Sequence, residues 1–277
     1  MAEEKSKEHE QEIKHESKTV TLKKSTLVGI GFFIIVALLV VSIFTGGFGI
    51  MKPSGDATNA GNTGNTGTAA TTTGDTSIFA NSNLYPSLGP SNAKATVVEL
   101  ADFQCIWCAL ASGLPSWASP STTDQTSLQM QSQSGDLIGS AGNLEQLAQS
   151  GKIQFVFVPL SFLGQESVYA AEAGFCAADQ GKFWQMHDAI FKASDAPSED
   201  TGKYSKANLT VIAQGISGLD INKFNSCLNN DTDLTEVQKV MSQVQQAGFQ
   251  IGTPQFFVNG KSVQPSWAAM QAAINAA

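Results

Sequence analysis

Apolar residues in the last two thirds of the chain form three short runs and one longer block. The short runs are rich in β-branched and aromatic residues and are bounded by turn-forming residues, so each predicts a strand. They lie at about 95–101, 153–158 and 255–258. The second run is apolar almost throughout, which predicts burial on both faces. Asn259-Gly260 then predicts a hairpin, and a final helix is expected after Pro265.

The longer block extends from Gln165 to Phe249 and has helical spacing. Its apolar residues recur every three or four positions, as on one face of an amphipathic helix. Two such faces are Val168, Ala171, Phe175 and Ala178, and Phe183, Met186, Ile190 and Phe191. The block therefore predicts a helical region, at about 165–249, between the second and third strands.

The segment Thr26 to Thr45 is an unbroken run of 20 uncharged, mostly apolar residues. As a helix it would measure about 30 Å, which is enough to cross a bilayer. A cleaved signal peptide is the rival interpretation, but it would need a shorter apolar core followed by a small-residue cleavage site. Because a polar tail of 25 residues precedes a full-length span, we predict an uncleaved anchor at 26–45.

Lysines flank this span unequally. Lys14, Lys18, Lys23 and Lys24 precede it closely, whereas only Lys52 follows closely. The positive-inside rule therefore predicts a cytoplasmic tail at 1–25 and an extracytoplasmic domain after the anchor. Disulfides persist in that compartment.

A flexible linker is predicted at 46–91, because Lys52 to about Ala80 is rich in Gly, Asn, Thr and Ala and has few large apolar side chains. The folded domain is then predicted at 92–277. From Lys52 onward the chain carries 18 acidic residues against 10 lysines and has no arginine. This balance argues against nucleic-acid binding, which requires a basic surface.

The candidate chemistry lies in Cys105-Ile106-Trp107-Cys108, directly after the first predicted strand. Two cysteines at a strand-to-helix turn share one exposed turn and can close a small disulfide ring. Backbone N–H groups at the helix start favour the thiolate of the first cysteine. Cys105 is therefore the predicted nucleophile and Cys108 the resolving thiol.

The same spacing can supply half of a zinc site. The other cysteines, Cys176 and Cys227, are far from the pair and from each other, and His187 is the only histidine beyond the N-terminal tail. Spacing therefore gives no support for a metal site, and His187 is better explained as a helix-packing residue.

Three stretches together resemble the DsbA-like branch of the thioredoxin superfamily, which includes membrane-tethered oxidoreductases. They are Val98 to Gln104 leading into the cysteine pair, Ala170 to Trp184 in the helical block, and Gly252 to Gly260. The resemblance covers about residues 92 to 277. It implies an α/β thioredoxin-like fold with an inserted helical domain, here preceded by a transmembrane helix and a flexible linker.

The resemblance also implies roles for residues around the pair. The third stretch resembles the loop with the family's cis-proline, so a cis Thr253-Pro254 bond is expected, with the Thr253 backbone pairing with substrate. Family members use an acid at the position of Glu99 to move protons; the alternative is that Glu99 faces water. Ile106 and Trp107 stand where strongly oxidising relatives often carry proline and histidine, and we expect them to contact substrate.

Two further features lie outside the pair. Cys176 and Cys227 are predicted to form a structural disulfide, worth about 4 kcal/mol by loop-closure entropy; a second redox pair is the alternative. Gly113 to Ser140 is crowded with Ser, Thr, Gln, Gly and Pro, and predicts a surface insertion beside the active site.

The sequence therefore predicts a membrane-anchored, outward-facing protein thiol-disulfide oxidoreductase that forms disulfides in exported proteins. It implies no bound cofactor, but it does imply a membrane redox partner that reoxidises the site. A reductase or isomerase would use the same site in the opposite direction. A peptide-binding or chaperone module with incidental cysteines is the rival from another class, and activity that survives Cys105→Ser would favour it.

Overall fold

The computed structural model describes residues 76–80 and 84–277. The predicted tail at 1–25, the predicted anchor at 26–45 and most of the predicted linker lie outside these residues. Within the described ranges, no helix combines the length and apolar character needed to cross a bilayer.

A five-stranded sheet forms the centre of the fold. Its strands are β1 (Ser87–Leu88), β2 (Thr96–Asp102), β3 (Gln154–Leu160), β4 (Gln255–Val258) and β5 (Lys261–Val263). They lie side by side in the order β1-β3-β2-β4-β5. The central pair, β2 and β3, is parallel, and the other pairs are antiparallel.

Helices connect the strands and cover both faces of the sheet. Those before β3 are α1 (Ser77–Ala80), α2 (Ile106–Ser112), α3 (Gln125–Ser134) and α4 (Ser140–Gln149), with 3-10 turns at Ser116–Ala118 and Gly135–Leu137. Those between β3 and β4 are α5 (Gln165–Ala178), α6 (Phe183–Ala193), α7 (Lys206–Gln214), α8 (Ile221–Asn229) and α9 (Leu234–Gln246). The last helix is α10 (Trp267–Asn275). The helical block expected from the apolar spacing thus lies between the second and third long strands.

Alternation along β2 divides the core between the two faces of the sheet. Val98 and Leu100 pack in a cluster with Val240 of α9, whereas Val97 packs in one with Leu144 of α4. Successive side chains of a strand point to opposite faces, so Glu99 lies on the face of Val97. Both faces are buried, which is why the strand sequences are apolar nearly throughout.

The folded part of the chain begins before the predicted boundary at residue 92. Phe79 and Tyr85, which fall in the predicted linker, are 1% and 3% exposed, and their rings meet edge to face at 5.0 Å. Phe79 also packs on Phe249, at 5.3 Å between ring centroids. The Gly- and Thr-rich composition around these aromatic residues concealed two anchors that tie this segment to the core.

Strand β3 is longer than the predicted strand because it continues through Pro159 to Leu160. A proline has no N–H to donate to a neighbouring strand. It therefore fits only where no strand residue needs that hydrogen bond. Such a position exists because β1 pairs only with Phe155 and Val156 of β3.

The predicted surface insertion at 113–140 is more ordered and more deeply packed than its composition suggested. It contains α3 and both 3-10 turns, and Trp117 and Leu137 are buried. The Trp117 indole Nε1–H donates to Ser194 Oγ at 3.1 Å. Two apolar side chains therefore anchor a segment whose other positions are mostly polar.

Candidate active site around Cys105 and Cys108

Cys105 is the N-cap residue of α2, three positions after the end of β2. Its backbone N–H donates to the carbonyl oxygen of Asp102 at 3.0 Å, and its own carbonyl accepts from Ala109 at 2.9 Å. Cys105 and Cys108 are both free thiols in this structure. Strand, turn and helix start thus place the two sulfurs on one helical turn.

The turn is less exposed than predicted, since Cys105 is 4% exposed and Cys108 is 1% exposed. The reason is the loop before β4, which lies against Cys105. The Cys105 Sγ donates to the carbonyl oxygen of Thr253 at 3.6 Å. A client thiol would therefore reach Cys105 only at this junction, and Cys108 lies behind it.

The environment separates the acidities of the two thiols. A hydrogen bond from Cys108 lowers the pKa of Cys105, and the Thr253 hydroxyl and the backbone N–H groups of Trp107 and Cys108 add to this effect. Burial raises the pKa of Cys108 well above its usual value, and the Cys105 thiolate reinforces the shift. Cys105 is therefore the thiol that ionises first and Cys108 the one that keeps its proton.

The loop before β4 contains a cis peptide bond between Thr253 and Pro254. Both residues are partly exposed, as are Ile106 and Trp107 across the site. The Thr253 Oγ1 is buried without a hydrogen-bond partner. It can donate to the Cys105 sulfur once that sulfur has lost its proton, because a thiolate accepts where the thiol donated. We propose that these four residues form the substrate contact.

Glu99 lies in the middle of β2 and is 2% exposed. It pairs in register with Phe157 on one side and Phe256 on the other, and its Oε2 has no hydrogen-bond partner. Burial raises the pKa of Glu99 well above its usual range, and the charges of Glu145 and Cys105 add to the shift. The alternative that Glu99 faces water at a sheet edge is wrong, because β2 is the central strand.

A buried polar network that the sequence does not predict fixes the turn before the cysteines. The Asp102 carboxylate accepts from Gln104 N at 2.9 Å, Ser167 Oγ at 2.6 Å and Phe162 N at 3.0 Å. Gln104 in turn donates through Nε2 to Asp200 Oδ1 at 3.2 Å. The sequence signal for this network is the position of Asp102, at the carboxyl end of a strand and next to the C-x-x-C pair. Apart from Gln104, its partners are distant in sequence, since Phe162 lies in the loop after β3 and Ser167 lies on α5.

His187 and Glu145 are also buried. His187 packs among aromatic rings, including Phe157 at 4.7 Å and Phe191 at 5.0 Å between centroids, as expected of a packing residue. Donor atoms of Glu145, His187 and Asp188 lie within 4.8 Å of one another, which is metal-ligand spacing. Glu145 was not singled out in the sequence.

The remaining cysteines are joined by a disulfide between α5 and α8, with 5.8 Å between the Cα atoms of Cys176 and Cys227. Their sulfurs are therefore not available to join Cys105 and Cys108 in a four-cysteine metal site. Asp233 also approaches, with its Oδ2 3.2 Å from Cys227 Sγ.

Comparisons with known proteins agree with this geometry. A family profile described as "Thioredoxin" matches residues 140–276. A Bacillus cereus protein named "Probable disulfide bond formation protein D" is 25% identical over 258 residues, which cover 92% of this chain and 98% of the relative. This match includes the cysteine pair.

Two solved structures share the fold. The oxidised crystal structure of BdbD from Bacillus subtilis matches with a TM-score of 0.53 and 21% identity, covering 70% of this chain and 92% of that chain. A thioredoxin-like oxidoreductase from Silicibacter pomeroyi DSS-3 matches with a TM-score of 0.51 and 22% identity, covering 72% of this chain and 94% of that chain.

This chain contains a thioredoxin-like domain, its fold resembles that of BdbD, and it is a thiol-disulfide oxidoreductase. The predicted α/β thioredoxin-like fold with an inserted helical domain is thereby confirmed.

The unequal acidities of the two thiols predict an order of alkylation. In the reduced protein at about pH 6, Cys105 should react with iodoacetamide at least about tenfold faster than Cys108, because only the thiolate reacts and only the Cys105 pKa is lowered. Peptide mapping by mass spectrometry after timed quenching measures both rates. Equal labelling of the two sulfurs would contradict the assignment.

Proposed function

We propose that this protein is an extracytoplasmic, membrane-anchored oxidase that introduces disulfides into exported proteins. The observation that carries the proposal is the opposite shift of the two thiol pKa values. A stabilised Cys105 thiolate favours the reduced form of the site. A site whose reduced form is stabilised is a strong oxidant of other thiols.

The proposed reaction starts with the oxidised Cys105-Cys108 pair. A client thiolate attacks Cys105 Sγ, the Cys105-Cys108 bond breaks, and Cys108 leaves as a thiolate that takes up a proton. A second client thiolate then attacks the client sulfur of the mixed disulfide and releases Cys105 as its stabilised thiolate. The client is oxidised by two electrons and the site is reduced by two.

Glu99 is proposed to supply the proton to Cys108. Glu99 is buried, its charge acts on Cys108, and burial raises its pKa and so favours the protonated carboxyl group. Thr253 and Pro254 would align the client segment, with Ile106 and Trp107 forming the opposite side of the contact. These residues hold the client chain extended beside Cys105.

The proposed location rests on the sequence. The apolar run at 26–45 and the lysines before it support a membrane anchor with the cysteine domain outside. The name of the Bacillus cereus relative supports the oxidase direction. Turnover would then require a membrane redox partner that removes two electrons from the Cys105 and Cys108 thiols.

A reductase or isomerase is the second candidate, and Trp107 is the observation that favours it. An indole cannot provide the cationic neighbour that a histidine offers a thiolate. The potential of the Cys105-Cys108 couple separates the candidates, since about 30 mV corresponds to about 1.4 kcal/mol for two electrons.

We expect a potential above roughly −200 mV, on the oxidising side of the cytosolic glutathione pool. Equilibration with glutathione redox buffers, read by mass spectrometry of trapped thiols, measures it. A potential near that of thioredoxin, about −270 mV, would contradict the oxidase proposal and favour the reductase.

A further inference from the structure

Glu145 is a second buried carboxyl group in the surroundings of Glu99. It lies on α4, is 8% exposed, and acts on Glu99 through its charge. Nothing in the proposed exchange between Cys105, Cys108 and Glu99 uses it. A buried acid without such a role is costly to keep, which suggests a function.

Close packing of α4 on α2 brings Glu145 to this place. A Cβ atom at Gly142 would lie 2.8 Å from the carbonyl oxygen of Ser112, so a larger residue could not pack here. Glu145 follows Gly142 by three positions and therefore lies on the same side of α4. The helix thus presents Glu145 toward the end of α2 and the sheet face that carries Glu99.

Glu145 also lines a cavity of about 440 Å³ between the end of α2 and α4. Among the described residues that line this cavity, Glu145 is the only titratable side chain. The cavity is large enough for several water molecules. Glu145 therefore lies between a buried acid and a space that water can enter.

Two groups of α6 complete the surroundings of Glu145. His187 Nδ1 lies 3.9 Å from Glu145 Oε1 and 2.9 Å from Asp188 Oδ1, and Asp188 is about half exposed. Burial lowers the pKa of His187, so the ring is neutral and its Nδ1–H can donate to Asp188. The titratable groups that face Glu145 are thus Glu99 from β2, and His187 and Asp188 from α6. Cys108, on α2, lies beyond Glu99.

We propose that Glu145 relays protons between Glu99 and water in the cavity beside α4. When Cys108 leaves as a thiolate, Glu99 gives it a proton, Glu145 returns a proton to Glu99, and Glu145 takes one from water. The chain of transfers restores both carboxyl groups and consumes one proton for each Cys108 thiol formed. The reverse sequence releases that proton when the site is reoxidised.

The relay rests on the proposed proton transfer from Glu99 to Cys108. Burial raises the pKa of Glu145 to about 8, and the Asp188 carboxylate adds to the shift. Glu145 therefore carries a proton at pH 7 and loses it as the pH rises through about 8. Relay by Glu145 should accordingly be effective below about pH 8 and weaken above it.

The test is single-turnover oxidation of a dithiol peptide by the oxidised full-length protein, at pH 5.5 to 9 in dilute buffer. We expect E145Q to be about tenfold slower than the wild-type protein at pH 6 to 7, and this difference to shrink above about pH 8. Added imidazole buffer should restore the E145Q rate, because a small acid can enter the cavity and replace the relay. E145D, which keeps the carboxyl group, should remain near the wild-type rate.

Three controls make the result specific. E236Q makes the same side-chain replacement on α9, which packs on the sheet face opposite to that of Glu99, and should behave as the wild-type protein does. In E99Q, adding E145Q should cause no further loss, because both residues act in one chain. C105S must abolish oxidation, so activity that survives C105S refutes the proposed function rather than the relay.

Equal rates for E145Q and the wild-type protein at every pH would overturn the relay. So would a slow E145Q that imidazole does not restore and whose pH profile matches that of the wild-type protein, since this indicates packing alone. One zinc ion per chain in the purified protein, absent from E145Q and needed for the wild-type rate, would assign Glu145, His187 and Asp188 to a metal site instead.

Discussion

Replacing Cys105 with serine is expected to reduce the rate of disulfide transfer at least about 10³-fold. A hydroxyl does not ionise near neutral pH and cannot form the mixed disulfide, so the reaction loses its covalent intermediate. The rate at which a reduced, unfolded client protein loses its free thiols measures the change.

Cys108→Ser is the matched control, because it removes the other thiol of the same turn. With its Cys105 activated as a mixed disulfide with a small thiol, this variant should exchange that thiol for a client thiol and accumulate covalent adducts instead of completing turnover. Wild-type activity in Cys105→Ser would instead indicate a peptide-binding or chaperone role, in which the cysteines are incidental.

Removing the disulfide between Cys176 and Cys227 should lower the free energy of unfolding by about 4 kcal/mol. The bond spans 51 residues of sequence, and in the chain-entropy model its loss frees a loop of that length in the unfolded state. Urea unfolding of Cys176→Ala, Cys227→Ala and the double variant, monitored by circular dichroism, measures the change.

The three variants also separate the bond from packing. Each single variant already breaks the bond, so the double variant should be scarcely less stable than either single one. Additive losses from the two single variants would indicate that the effect comes from the packing of the side chains. A double variant within about 1 kcal/mol of the wild-type protein would exclude a stabilising role for the bond.

Much of the fold followed from local sequence because its signals are local. Strands β2, β3 and β4 are short, apolar runs between turn-forming residues, and the helical block has amphipathic spacing throughout. The start of the folded part was misplaced because Phe79 and Tyr85 act singly, through contacts with residues such as Phe249. Isolated anchors produce no periodic pattern.

In the candidate site, too, the features contained in one short segment were predictable and those that depend on tertiary packing were not. The C-x-x-C pair and the Gly-Thr-Pro loop are recognisable because each is one short segment. The degree of burial of the cysteines was not predictable, because it depends on a distant loop that meets Cys105 through Thr253, 148 residues later in sequence. Glu145 was missed for the same reason, since its closeness to Glu99 depends on how α4 packs against α2.

The central claim is that Cys105 forms the covalent bond with a client during disulfide exchange. The most direct test is to incubate oxidised full-length Cys108→Ser, its Cys105 activated as a mixed disulfide with a small thiol, with a reduced client peptide. Intact mass and peptide mapping then locate the bond. The account predicts one peptide per chain, attached at Cys105 and released by reductant. An attachment at Cys176 or Cys227, or an adduct that persists in Cys105→Ser/Cys108→Ser, would contradict it.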